Sequence, residues 1–115
     1  MGIKNERKRD TLVVHLAGEL DHHHAEEIRE ELDSLLNDPS IRHLIFDLEN
    51  LHFMDSSGIG VFLGRYKRIM KRGGTVCIVR VNPQIHKILE MSGLYKILKV
   101  YADVRAALEA LRGVS

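Results

Sequence analysis

Several things are scarce in this chain, and each scarcity removes a class of function. There is one cysteine, Cys77, inside the apolar run Val76-Cys77-Ile78-Val79. That excludes a disulfide framework and a cysteine-based metal site, and it marks Cys77 as a buried strand residue. Tryptophan is absent and aromatic residues make up only 5%, too few for the stacking platforms that hold single-stranded nucleic acid. Neither sign of charge dominates: the formal net charge is +1, so no global field favours nucleic acid or a membrane surface. No apolar run approaches the ~20 residues of a membrane span. The charged start is not followed by the apolar stretch of a signal peptide. No direct nucleic acid, no membrane and a cytoplasmic location are the expectations.

What remains is the composition of an ordinary soluble domain, 44% apolar and 29% charged over 115 residues. One domain, 1–115, with one core is expected. Residues 3–9 are polar, Arg9-Asp10-Thr11 reads as a turn, and Leu12–Ala17 is a β run, which together predict an N-terminal hairpin. Asp21 or a neighbour can cap the helix that follows, where Ala25, Ile28, Leu32, Leu35 and Leu36 recur with helical period. Asn37-Asp38-Pro39-Ser40 stops that helix. A strand is expected over Leu44–Leu48, and then a helix to about Lys71 that ends at Gly73-Gly74. On that helix Ile59, Phe62, Leu63, Tyr66, Ile69 and Met70 share an inner face, opposite Arg65, Lys67, Arg68, Lys71 and Arg72. Thr75–Val81 reads as a buried strand. Asn82-Pro83 opens a short helix that Ser92-Gly93 closes. Leu98–Tyr101 is a last strand, and Asp103 caps a terminal helix. The order β-β-α-β-α-β-α-β-α defines an α/β fold, a mixed and mostly parallel sheet under helical cover.

The stretch that stands out is Phe53-Met54-Asp55-Ser56-Ser57-Gly58-Ile59-Gly60, where strand hands over to helix. Two readings are open there. Asp55, Ser56 or Ser57 can serve simply as a helix cap. Alternatively the paired hydroxyls are a switch, because a phosphate at a helix start meets unpaired amides and the positive end of the dipole. Gly58 and Gly60 weigh toward something approaching this backbone closely, since glycine inside a helix costs about 1 kcal/mol. Asp21 leaves the second strand as Ser56 follows the third, so neighbouring strands would bring both loops to one surface.

Other chemistries find less support. A serine hydrolase would want the G-x-S-x-G elbow, but Met54 stands at its first glycine and no histidine lies in a base motif. His22-His23-His24 cannot converge on one ion, because successive helical positions diverge by about 100°. No metal site and no catalytic residues are therefore expected. The basic side of the second helix fits an acidic protein partner better than nucleic acid.

Leu16-Ala17-Gly18-Glu19-Leu20-Asp21, the Asp55-Ser56-Ser57-Gly58 stretch and Met91-Ser92-Gly93-Leu94 together resemble the bacterial anti-sigma-factor antagonists, which are STAS domains. Gly64-Arg65-Tyr66-Lys67 and Asp21-His22-His23 look closest to the sporulation branch of that family. The resemblance covers almost the whole chain and implies the STAS fold. It implies a partner-switching module rather than an enzyme. The unphosphorylated form would bind an anti-sigma factor that is also a serine kinase, and so release a sigma factor, the sporulation sigma-F. That kinase would phosphorylate Ser56 with ATP held on itself, and a PP2C-type phosphatase would reverse the step; no cofactor of the chain's own is implied. Asp21, Asp55, Ser57, Gly58 and Ile59 are the implied partner-binding residues, with Arg65 and Arg68 as outlying candidates. A general-stress antagonist, a binding-only STAS module or the STAS domain of an anion transporter would share the fold.

Overall fold

The strands lie in the sheet in the order in which the chain makes them. The computed structural model describes residues 3–113. β1 (Ile3–Lys8) pairs antiparallel with β2 (Thr11–Leu20). β2, β3 (His43–Met54), β4 (Val76–Val79) and β5 (Lys99–Tyr101) then run parallel, giving the order β1-β2-β3-β4-β5. Parallel neighbours need crossovers, and these are α1 (His22–Leu35), α2 (Ser56–Met70) and α3 (Pro83–Ser92); α4 (Val104–Leu111) closes the chain.

Alternation along the strands separates the crossover helices from α4. Leu12, Val14, Leu16, Leu44, Phe46, Val76 and Ile78 face one way and pack under α1, α2 and α3, through residues such as Ile28, Leu32, Phe62, Ile69, Ile85 and Leu89. Val13, Ile45, Cys77 and Val79 face the other way, where Ala107 of α4 meets them. Strands covered on both faces read as near-continuous apolar runs, which is why Leu12–Ala17 and Thr75–Val81 were recognisable. Phe46 and Phe62 meet edge to face, centroids 4.8 Å apart at 89°. Such a pair contributes about 1 kcal/mol beyond its buried area, and here it fixes α2 to the central strand.

Several boundaries differ from the sequence expectation, and β2 runs to Leu20 rather than stopping at Ala17. β3 does not end at Leu48 but runs to Met54: Leu51 and Met54 are buried and keep pairing with Gly18 and Leu20 of β2. Strand therefore passes to helix across Asp55 alone. β4 is shorter than Thr75–Val81, because Arg80 turns to φ 55 and breaks the extended backbone. A single 3-10 turn, Leu94–Lys96, was not anticipated, and β5 starts at Lys99 rather than Leu98. On α2, Met70 is 48% exposed, whereas Arg65 takes an inward position at 7%. The helix caps match: Asp21, Asp55, Asn82 and Asp103 each accept first-turn amides, and Gly93 closes α3 at φ 78.

Candidate functional site

Register brings the two motif loops together. Leu20 pairs with Met54 at the last rung of the β2–β3 ladder, so Asp21 and Asp55 leave adjacent strand ends and open adjacent helices. Asp21 Oδ1 accepts from the amides of His23 and His24 at 3.0 and 3.1 Å, and the His24 ring reaches it through Nδ1 at 2.7 Å. Desolvation alone would raise the Asp21 carboxyl, but the His24 ring and the two amides outweigh it and hold the group below the ordinary carboxylate range.

Asp55 does two things at once. Its Oδ1 accepts from the Ser57 amide at 2.8 Å, capping α2. Its Oδ2 accepts from the His22 amide at 3.2 Å, so the same carboxylate also serves the start of α1. Its backbone amide donates to the Leu20 carbonyl at 3.4 Å. One aspartate thus binds both helix starts and both strand ends into a single corner.

That arrangement bears out the capping reading at Asp55. The cap is Asp55, so neither serine is required for capping. Ser56 is exposed on the first turn of α2, while Ser57 is half-buried and lines a shallow groove between α1 and α2 with His22, Glu26, Arg29 and Gly60. The groove was not foreseen; the one sequence signal for it is that Asp21 and Asp55 both precede helices whose strands are neighbours.

Gly58 behaves differently from expectation. It is buried, and a Cβ there would stand 2.5 Å from Met54 Cγ and 2.8 Å from the Leu20 carbonyl oxygen. The close approach is internal, between α2 and the end of β2, and does not offer a surface to a partner. Ile59, half-buried, and Gly60, exposed and with open space around it, are what α2 shows at this corner.

Arg65 and Arg68 lie away from it. Arg65 Nε sits 3.1 Å from Asp33 Oδ1 across the α1–α2 seam. Burial draws its guanidinium below the usual range, and Asp33 opposes that shift. Arg68 donates to the Asp33 carbonyl and carboxylate and to Asn37 Oδ1. Both stitch the far end of the two helices together, away from Ser56 and Ser57. The histidine triplet does not converge: His24 turns to Asp21, while the His22 and His23 rings stand edge to face at 6.1 Å. Among the described residues no group of three His, Cys, Asp or Glu is placed to hold a metal, and no helix is long and apolar enough to cross a membrane.

The STAS domain profile matches residues 3–107. A relative from Paenibacillus polymyxa named anti-sigma F factor antagonist is 45% identical over 98% of this chain and 97% of its own length. The chain belongs to the STAS-domain anti-sigma-factor antagonists. Solved antagonists of the family share its architecture. The anti-sigma factor antagonist SpoIIAA in its unphosphorylated form superposes with a TM-score of 0.86 at 32% identity over 99% of both chains. The Bacillus cell fate determinant SpoIIAA in its phosphorylated form gives 0.74 at 31% identity, over 95% of this chain and 99% of that one. In this antagonist, then, Asp21, Asp55 and both serines of the D-S-S-G stretch occupy one corner, and Gly58 supports it from below.

Proposed function

We propose that this antagonist is a phosphorylation-controlled partner switch working through the Asp21–Asp55 corner. Unphosphorylated, it binds an anti-sigma factor that is also a serine kinase, and so releases a sigma factor, the sporulation sigma-F. The observation that carries the reading is the exposed Ser56 on a helix already capped by Asp55: its hydroxyl is in reach of another protein and is not needed by the fold. In the kinase complex Ser56 Oγ attacks the γ-phosphorus of ATP held by the partner. The Oγ–P bond forms, the bond to ADP breaks, and the serine proton passes to a base on the kinase. A PP2C-type phosphatase delivers water to the same phosphorus and restores the hydroxyl.

Phosphoserine adds about −1.5 to −2 charges. The start of α2 tolerates an anion, because its dipole and first-turn amides favour negative charge. But Asp55 already holds the Ser57 and His22 amides, and Asp21 those of His23 and His24. The phosphate therefore remains on the surface beside two carboxylates, where its bulk and charge block docking without unfolding the corner. Ser56→Asp stays folded and binds the anti-sigma factor poorly, whereas Ser56→Ala binds and cannot be phosphorylated.

The test is intact mass after incubation with ATP and the anti-sigma kinase, for wild type, Ser56→Ala and Ser57→Ala. A single phosphoryl increment lost only in Ser56→Ala supports the reading. Loss only in Ser57→Ala moves the site by one residue. No increment in wild type beside an active kinase points to a binding-only STAS module. Pairing with a sporulation or a general-stress kinase separates the two branches of antagonist.

A further inference from the structure

At the opposite end of the sheet from Ser56, the chain gathers cations. Lys8, Arg9, Arg42 and Arg112 line one pocket, together with His43, and Asp10 is its one carboxylate. The lining carries a surplus of three positive charges in a chain whose formal net charge is only +1. Among the described residues the Lys8, Arg9 and Arg112 head groups enter no ion pair, although most other arginines of the chain do. Leu108 and Leu111 from the last turns of α4 form one apolar wall.

Two details show that the pocket is set up rather than accidental. The β1–β2 hairpin turns on Arg9 and Asp10, and Arg9 sits at φ 59. Hairpins of this length favour Asn or Gly at such a position, and a long side chain there carries backbone strain. An arginine kept against that preference points to a use for its guanidinium. His43 is oriented as well: the Thr75 amide donates to its Nδ1 at 3.0 Å, so the neutral ring carries its proton on Nε2, the nitrogen 3.9 Å from Asp10 Oδ2. Burial, reinforced by Arg42 and opposed by Asp10, holds His43 below the ordinary imidazole range, so it remains a neutral N–H donor.

We propose that this pocket binds a small diphosphate-bearing anion. Guanidinium forks match phosphate oxygens in bidentate geometry, and Arg9 and Arg112 approach from different elements, which suits two phosphoryl groups better than one. Arg42 is anchored on the Gly73 carbonyl through Nε and Nη2 at 3.3 and 3.2 Å, which makes it a fixed wall of charge. The ten residues of β2, about 30 Å of strand, separate the pocket from the serine corner. The ligand and the protein partner do not compete for space, and this inference stands independently of the phosphorylation reading.

Isothermal titration of inorganic pyrophosphate into wild type, Arg9→Gly, Arg112→Gln and Ser56→Asp at low ionic strength tests it. Wild type and Ser56→Asp should bind alike, and Arg9→Gly and Arg112→Gln roughly tenfold more weakly. Arg9→Gly relieves the backbone at φ 59, so its melting temperature should hold or rise while its affinity falls; a folding defect would move both the same way. Absence of saturable heat in wild type overturns the proposal, as does equal binding by Arg9→Gly. A glutamate-rich peptide that binds more tightly than pyrophosphate and displaces it would also overturn it, in favour of an acidic protein partner.

Discussion

Asp47 and Asp55 belong to the same stretch of chain and are held in opposite ways. Asp47 is in the body of β3, 3% exposed, on the same sheet face as Ile45 and Val79. Three groups converge on it: the His15 ring at 2.7 Å, the forked guanidinium of Arg80, and the Glu49 amide at 3.1 Å. Arg80 is bent to φ 55 at the end of β4 and also reaches Glu49 at 3.2 Å. Asp55, one residue past the strand, is satisfied by the backbone amides of two helix starts. In mid-sheet the ladder consumes most amides, the Glu49 amide at the β2–β3 register shift being an exception, so a buried carboxylate draws on side-chain cations as well. At a strand end the helices supply spare donors, and the carboxylate leaves neighbouring side chains uncommitted. The exposed Ser56 follows the carboxylate whose partners are backbone amides.

The largest effect expected from breaking this contrast is at Asp47. Asp47→Ala leaves Arg80 with Glu49 as its remaining partner and should cost about 3 kcal/mol in urea denaturation, the low end for a broken buried pair because Arg80 is more than a third exposed. Anti-sigma factor binding by the folded fraction should be unchanged. The same residue makes stability depend on acid. Desolvation raises the Asp47 carboxyl, but Arg80, the Glu49 amide and His15 together bring it below its ordinary value of 3.8. A depressed folded pKa means stability that is present above 3.8 and lost as pH falls through the lower folded value. Urea midpoints measured from pH 5 down to 2 should drop in wild type and be flatter in Asp47→Ala. Next comes Asp55→Ala, which uncaps α2 and orphans one amide of α1, at about 1–2 kcal/mol; here stability and partner binding should fall together. The smallest effect distinguishes two glycines of the corner. Gly58→Ala forces a Cβ onto Met54 and the Leu20 carbonyl and should destabilise by about 1 kcal/mol net of the helix propensity gained. Gly60→Ala, with open space around it, should stabilise by up to about 1 kcal/mol. A thermal-shift comparison in which both moved the same way would contradict the packing at Gly58.

The contrast also separates what was legible in the sequence from what was not. Asp21, Asp55, Asn82-Pro83, Gly93 and Asp103 announced helix ends, because capping is a local matter of a few consecutive residues. The parallel order followed from alternating periodicities, and it put Asp21 and Ser56 on one surface. The His15–Asp47–Arg80 cluster is different: it comes from two strands and the turn that follows a third, and it depends on the pairing of His15 with Asp47, a register that no local pattern states. The charge of Arg65 argues for the outer side of α2, while its helical position argues for the inner one. The structure puts it on the inner face, in step with Val61 and Phe62, once Asp33 of α1 stands opposite. The length of β3 was hidden for a similar reason, since Glu49-Asn50-Leu51-His52 looks like a loop until Leu51 is seen pairing with Gly18.

The sheet's strand order has one more consequence. Because each strand lies beside the one synthesised before it, every crossover can dock as soon as it leaves the ribosome, on an edge that already exists. No strand waits for a distant partner, and no edge must be held open for a later insertion. The Asp21–Asp55 corner is built from β2, α1, β3 and the start of α2, so it is complete when little more than half the chain has emerged. The serine-bearing start of α2 can be seated before β4 and β5 are made.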